Sequence, residues 1–168
     1  EEFALLLPNT TVDEAQHFID VWLEKNPEIV DWHNRLEWEV RSRGYIENVF
    51  GYRRYFLDRE TPQTMSEAAS WNPQSTVAIY INLVWQRIVS LAKKEGMRID
   101  VLMQVHDSLV IQCPRVIIRD ALTLIKTAFD TTICPYPDPL IIACGKPEIS
   151  LSSWDAVKPV NWDLSPLK

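Results

Sequence analysis

The sequence contains no run of about 18 or more apolar residues, and its first residues lack the basic-then-apolar order of a secretory leader. It therefore predicts a soluble, intracellular protein without membrane contact. Cysteine is scarce: Cys113, Cys134 and Cys144 are odd in number and show no Cys-x-x-Cys spacing, which argues against a disulfide framework and against a zinc site. They read as buried or incidental thiols. Positive charge is also short, with 17 Lys and Arg against 23 Asp and Glu and a net charge of −6. That balance argues against a general polyanion binder, because non-specific affinity for nucleic acid comes mainly from Lys and Arg displacing counterions. The deficit is uneven. Acids dominate the chain up to Val40, whereas Arg41, Arg43, Arg53, Arg54 and Arg59 follow closely, so a local basic surface is compatible with the acidic total. There is no internal repeat and no low-complexity segment.

What is present suits one compact domain or a large piece of one: 168 residues, 46% of them hydrophobic. The first residue is Glu1 rather than methionine, which is expected of a processed product or of a segment of something longer. Thr11-Val12-Asp13-Glu14 has the form of a capping box. The apolar series Ala15, Phe18, Ile19, Trp22 and Leu23 then predicts a helix with one stripe toward a core. Asn26-Pro27 stops it and starts a second helix, carrying Ile29, Trp32, Leu36 and Val40 inward as far as Gly44. Tyr45–Asn48 and Arg53–Leu57 flank Phe50-Gly51-Tyr52 and read as a short hairpin.

Pro62 and Pro73 bracket a stretch with no clear period, after which Val77, Ile81, Val84, Ile88 and Leu91 predict a long helix ending near Gly96. Arg98–Val105 and Leu109–Gln112 predict a β-hairpin with His106-Asp107-Ser108 at its polar tip. Ile118, Ala121, Leu122, Ile125 and Phe129 predict a further helix, and Leu140–Cys144 a further strand. The tail after Ser150 is expected to be irregular. Locally paired strands separated by helices indicate an α+β domain with a mostly antiparallel sheet and flanking helices. Trp22, Trp32, Trp38 and Trp85 fall on the apolar stripes and read as core, while Trp71 abuts Asn72-Pro73-Gln74. His17 and His33 have no metal-ligand spacing and read as ordinary.

The candidate chemistry sits at the tip, Gln104-Val105-His106-Asp107-Ser108. A carboxylate between two apolar strands is costly to bury unless it meets a cation or a metal. A hairpin also holds such a group more rigidly than a mobile loop does, which suits fixing an ion. The plainer alternative is an aspartate in an ordinary turn.

Gln104-Val105-His106-Asp107 between apolar strands resembles the third conserved motif of family A DNA polymerases. Gly44-Tyr45-Ile46-Glu47-Asn48 with Phe50-Gly51-Tyr52-Arg53-Arg54 is similar to the hairpin segment upstream of it in that family. Asn72-Pro73-Gln74-Ser75-Thr76 is similar to the segment that precedes the palm helix, especially in phage-type members. Glu14-Ala15-Gln16 through Asn26-Pro27 resembles the helices after the nucleotide-binding fingers helix, and Gly145 to Trp154 resembles the C-terminal end. The matches run in order from Thr11 to Asp155, and several short motifs in order are far more specific than one.

The resemblance implies a polymerase palm, with residues 1–43 as helices from the base of the fingers and residues 44–168 as a palm segment whose catalytic hairpin spans 98–112. It implies that Asp107 is a ligand of a catalytic magnesium pair. His106 would lie at the primer terminus, reading minor-groove acceptors that every base pair presents. Gln74 would do the same on the template side with support from Asn72, and Gln104 would contact DNA beside them. Arg53 and Arg54 would hold phosphates, the alternative being that one of them only pairs with a nearby acid. The partners implied are primer–template DNA, deoxynucleoside triphosphates and the polymerase segment carrying the first two catalytic motifs, in the cytoplasm of a bacterial host if the protein is phage-encoded.

Two departures qualify the resemblance. Ser108 stands where family members commonly carry glutamate, and nothing here corresponds to the first catalytic motif or to the fingers helix that binds the triphosphate. The chain is therefore expected to be one half of a split polymerase or a piece of a longer one, and inactive alone. The alternatives are a non-catalytic DNA-binding or assembly subunit that keeps the palm fold, and an unrelated metal-dependent phosphohydrolase, which should show more His and Asp ligands than this chain has.

Overall fold

The computed structural model describes residues 11–57, 61–132 and 144–165. Its elements are helix α1 (Val12–Lys25), helix α2 (Pro27–Arg43), strands β1 (Tyr45–Glu47) and β2 (Arg53–Tyr55), helix α3 (Pro62–Lys94), strands β3 (Asp100–Val105) and β4 (Ser108–Gln112), helix α4 (Ile118–Thr131), and the short strands β5 (Glu148–Ile149) and β6 (Lys158–Pro159). The α+β class is as expected. Among the described residues, however, the strands form three separate two-stranded antiparallel sheets and not one larger sheet, because each strand pairs only with its sequence neighbour across a local turn. The expected strand Leu140–Cys144 and the positions of Arg59 and Cys134 lie outside the described residues, Cys144 excepted. No helix among the described residues is long and apolar enough to cross a membrane.

The chain divides into two compact units. The first comprises Glu1–Glu47 and Arg53–Asn72. Its opening helix starts on the expected capping box: the Thr11 hydroxyl accepts from the Glu14 amide at 3.2 Å, and the Glu14 carboxylate accepts from the Thr11 amide at 2.9 Å. Pro27 opens α2, and Gly44 closes it at φ 76, donating its amide to the Val40 carbonyl. That left-handed conformation is one glycine adopts without steric cost. The core of this unit is Leu36, Val40, Ile46, Phe56 and Ala68, with Trp32, Met65, Ala69 and Trp71 packed around it.

The apolar stripe of α1 behaves differently from its expectation. Ala15 is buried, but Phe18 is 59% and Trp22 53% exposed, and Ile19 is exposed as well. Trp38 on α2 is likewise exposed, with the Arg43 guanidinium over its ring at 5.2 Å. The periodicity correctly gives the helix; it does not give what covers the stripe.

Helix α3 runs from Pro62 to Lys94 with Pro73 inside it, so the stretch without a clear period and the predicted long helix are one element. An interior proline removes one hydrogen bond and crowds the preceding turn, a cost of about 3 kcal/mol. Here the turns on either side of Pro73 carry residues of two different cores, Ala68 before it and Tyr80, Ile81, Val84 and Ile88 after it. Their burial, about 1.5–3 kcal/mol for each large side chain, outweighs the defect. The division between the two units falls at this proline.

The second unit comprises Asn48–Tyr52 and Pro73–Lys168. Tyr80, Ile81, Val84, Ile88 and Ala92 of α3 pack with Ile99 and with Ala121, Leu124 and Ala128 of α4. The Tyr80 hydroxyl, buried with its ring, donates to the Phe129 carbonyl at 2.9 Å. On this two-helix floor lie Val101, Leu109 and Ile111 of the β3–β4 hairpin. The ladder pairs Val101 with Ile111 and then Met103 with Val110, so Leu102 is an extra residue in a β-bulge. Beyond the bulge Gln104 pairs with Leu109 and Val105 with Ser108. After Ser150 the chain is mostly irregular, as expected, apart from the β5–β6 pair and a 3₁₀ turn at Trp154–Ala156.

Candidate functional site

With Val105 paired to Ser108, the hairpin turns on two residues, His106 and Asp107. Two-residue hairpin turns of the favoured hand need positive φ at their first central position, which glycine usually supplies. Here His106 takes it, at φ 53. A side chain in the left-handed region costs roughly 1–2 kcal/mol, so this conformation persists only where its surroundings enforce it.

Two side-chain hydrogen bonds do so, one from each strand. The Gln104 amide donates from Nε2 to the His106 carbonyl at 3.0 Å, and the Ser108 hydroxyl donates to the Val105 carbonyl at 2.8 Å. The hairpin's base is held in turn by the contacts of Val101, Leu109 and Ile111 with the helix core. Asp107 is exposed, and none of the ion pairs among the described residues includes it. The result is a solvent-facing carboxylate on a rigid support.

Gln74 belongs to the same unit and is exposed on α3, one residue beyond Pro73. Next to it, Ser75 accepts a hydrogen bond from the side chain of Asn48. Asn48 is only 4% exposed, and its side-chain oxygen accepts the amides of Phe50 and Tyr52. Sequence reasoning missed this role. The signal is an asparagine just ahead of a Phe-Gly turn, where such side chains often bond their own backbone two residues on.

Asn72, Arg53 and Arg54 belong to the first unit. Arg53 donates to the Glu47 carboxylate at 2.6 Å and lies over the Tyr45 ring at 4.7 Å; the Glu47 bond, then Tyr55 and Tyr45, raise its pKa. Arg54 pairs with Glu67 at 2.7 Å and lies over the Phe56 ring. Both arginines thus pair with an acid, where the sequence alternative has one doing so. These half-exposed pairs are screened by solvent and contribute little, so a phosphate can compete for either guanidinium.

The histidines outside the tip are ordinary: His17 is exposed and His33 stands beside the Trp32 ring. Trp71 packs on the first core. Burial, with a smaller contribution from Asp130, pushes the Cys144 thiol up to about 11, and burial raises Cys113, so both are poor nucleophiles and poor metal ligands near neutrality. No group of three or more His, Cys, Asp or Glu side chains capable of holding a metal occurs among the described residues.

Residues 4–138 match the family model "DNA polymerase family A". The chain is 31% identical over 147 residues to a thermostable DNA polymerase I of Thermus aquaticus, covering 84% of this chain and 17% of the relative. It is 25% identical over 126 residues to a DNA polymerase I of Streptococcus pneumoniae, covering 71% of this chain and 14% of that one. Among solved structures, the POL domain of Pol1 from M. smegmatis, in complex with DNA primer-template and dNTP, is similar with a TM-score of 0.67 at 21% identity, covering 92% of this chain and 26% of that one. The chain thus spans about a sixth of the length of the curated relatives it matches.

Proposed function

The chain belongs to DNA polymerase family A, and from that premise we propose that it supplies the palm segment of a template-directed DNA polymerase, with residues 1–43 forming part of the base of the fingers. The observation that carries this reading is the exposed Asp107 carboxylate at the tip of a clamped hairpin. Asp107 fits one share of a magnesium site, since that ion favours one or two carboxylates with phosphate oxygens over an all-protein cage. When bound there, a magnesium pair supplies activation of the primer 3′-hydroxyl and neutralisation of charge on the leaving pyrophosphate. Among the described residues no ion pair competes for Asp107.

His106 and Gln74 would donate to minor-groove acceptors of the primer and template strands, testing pair geometry without reading sequence. Asn72 would support Gln74. Gln104 bonds one amide hydrogen inside the hairpin and would reach DNA only with its remaining amide atoms. Arg53 and Arg54 would exchange Glu47 and Glu67 for backbone phosphates. One carboxylate is fewer than two-metal chemistry needs, so activity requires the segment with the first two catalytic motifs, which would also bring the deoxynucleoside triphosphate. The Asn72-Pro73-Gln74 spelling supports a phage-type member, working in a bacterial cytoplasm.

A second reading, a DNA-binding or assembly subunit that keeps the palm without catalysis, is favoured by Ser108, which cannot supply the charge of the usual glutamate. The test is Asp107→Asn in the complete polymerase. The substitution keeps the size of the side chain and removes its charge, so single-turnover incorporation should fall by orders of magnitude while primer–template binding at fixed salt persists. Near-normal incorporation would leave the non-catalytic reading as the better account.

A further inference from the structure

Resting on the reading of Asp107 as a metal ligand, we infer that Gln104 and Ser108 are positioning residues, which clamp the left-handed turn and so fix where the Asp107 carboxylate stands. The turn has no glycine, and His106 occupies its positive-φ position. Left to itself, a His-Asp turn would relax toward negative φ or open into a longer loop, and either change would displace the next residue, Asp107. What opposes this is specific. The Gln104 amide grips the carbonyl of His106, the residue whose φ is strained, and the Ser108 hydroxyl grips the carbonyl of Val105, the residue that enters the turn. One donor comes from β3 and the other from β4, so the two strands are tied to the tip independently.

The same geometry gives a reason for serine at position 108. Its hydroxyl is a donor on a short arm and closes the turn across His106 and Asp107 at 2.8 Å. A carboxylate at that position has no proton to give to the Val105 carbonyl near neutral pH. Ser108 thus contributes geometry where an acid would contribute charge.

The experiment uses the complete polymerase. Amide hydrogen exchange of the peptide covering residues 102–112 is measured without metal or DNA. Mn²⁺ binding is followed by electron paramagnetic resonance on a dideoxy-terminated primer–template, and the magnesium dependence of single-turnover incorporation is recorded. Ser108→Ala is expected to speed exchange at the tip, weaken Mn²⁺ binding, raise the magnesium needed for half-maximal rate and lower the maximal rate roughly tenfold to a hundredfold, the scale of a small misplacement of a catalytic group. Primer–template affinity should not move. Ser108→Thr, which keeps the hydroxyl, should restore all of these, and Gln104→Met should speed tip exchange as Ser108→Ala does.

Unchanged exchange and unchanged metal dependence in Ser108→Ala, alongside an inactive Asp107→Asn, would overturn the clamp and leave the metal-ligand reading standing. Ser108→Thr as impaired as Ser108→Ala would also overturn it. An active Asp107→Asn would overturn the metal-ligand reading, and the claim that the clamp serves metal binding would fall with it whatever the exchange rates.

Discussion

The side-chain amide of Asn48 donates to the hydroxyl of Ser75 at 3.0 Å, while its oxygen takes the amides of Phe50 and Tyr52 at 3.0 and 3.1 Å. One buried side chain thus closes the Phe50-Gly51-Tyr52 turn and fastens it to α3 one residue beyond Gln74. Asn48→Ala removes all three bonds and leaves backbone amides without this acceptor, which costs about 2–4 kcal/mol. Urea unfolding should show that loss. Asn48→Asp keeps the acceptor oxygen and should lose less; equal losses would mean that the bond to Ser75 dominates.

Gln74 stands exposed beside that junction. If it donates to a base edge, Gln74→Ala forfeits one hydrogen bond, about 1 kcal/mol or about fivefold in rate. Primer extension from matched ends should slow by that factor, with DNA affinity nearly constant. An unchanged rate and unchanged mismatch discrimination would return Gln74 to the role of a surface residue.

Glycine at position 106 carries no penalty for φ 53. His106→Gly should therefore keep the folded tip with no loss of stability, or gain up to about 1 kcal/mol in denaturant unfolding. It should still extend primers less well, because the imidazole is gone. Loss of stability together with loss of extension would mean that the ring is a packing element.

The capping box gives a pH dependence of definite sign. Hydrogen bonds from the Thr11 backbone, then from its hydroxyl, hold the Glu14 carboxyl below its ordinary value. A depressed acid stabilises the fold above the ordinary glutamate pKa of about 4.3, and that contribution is lost as pH falls through the lower folded value. Backbone chemical shifts of residues 11–15 should report fraying at the start of α1 as pH drops from about 6 to about 3. Glu14→Gln retains an acceptor without titrating and should flatten the response.

Local signals in the sequence carry much of this structure. The Thr11 cap, the Asn26-Pro27 restart, the Gly44 stop and the two hairpins are each written in a few adjacent residues, because caps and turns depend on local hydrogen bonds and φ. The stretch from Pro62 to Pro73 shows no clear period in the sequence, and it is helical because burial on both sides of Pro73 outweighs one missing amide. The stripe of Phe18, Ile19 and Trp22 fixes the face of α1 but carries no information about what meets it. At the candidate site, Asp107 and His106 are legible from their motif. The acid that holds Arg54 is not, since Glu67 lies far along the chain and only the fold brings them together, whereas Glu47 faces Arg53 across the local hairpin. The Gln104 and Ser108 bonds are hidden for a subtler reason: they depend on which residues flank the turn, and that is set by register.

That register is decided at Leu102. Continued without interruption, the pairing of Val101 with Ile111 would set Gln104 opposite Ser108 and leave Val105, His106 and Asp107 as a three-residue loop. The bulge takes up one residue's worth of slack within the strand, and the loop shortens to His106 and Asp107. A slip of one position at Leu102 would therefore loosen the tip several residues away without altering any residue there. The tautness of the carboxylate's mount thus begins with arithmetic in the strand, which brings the Gln104 and Ser108 donors to the two-residue turn they clamp.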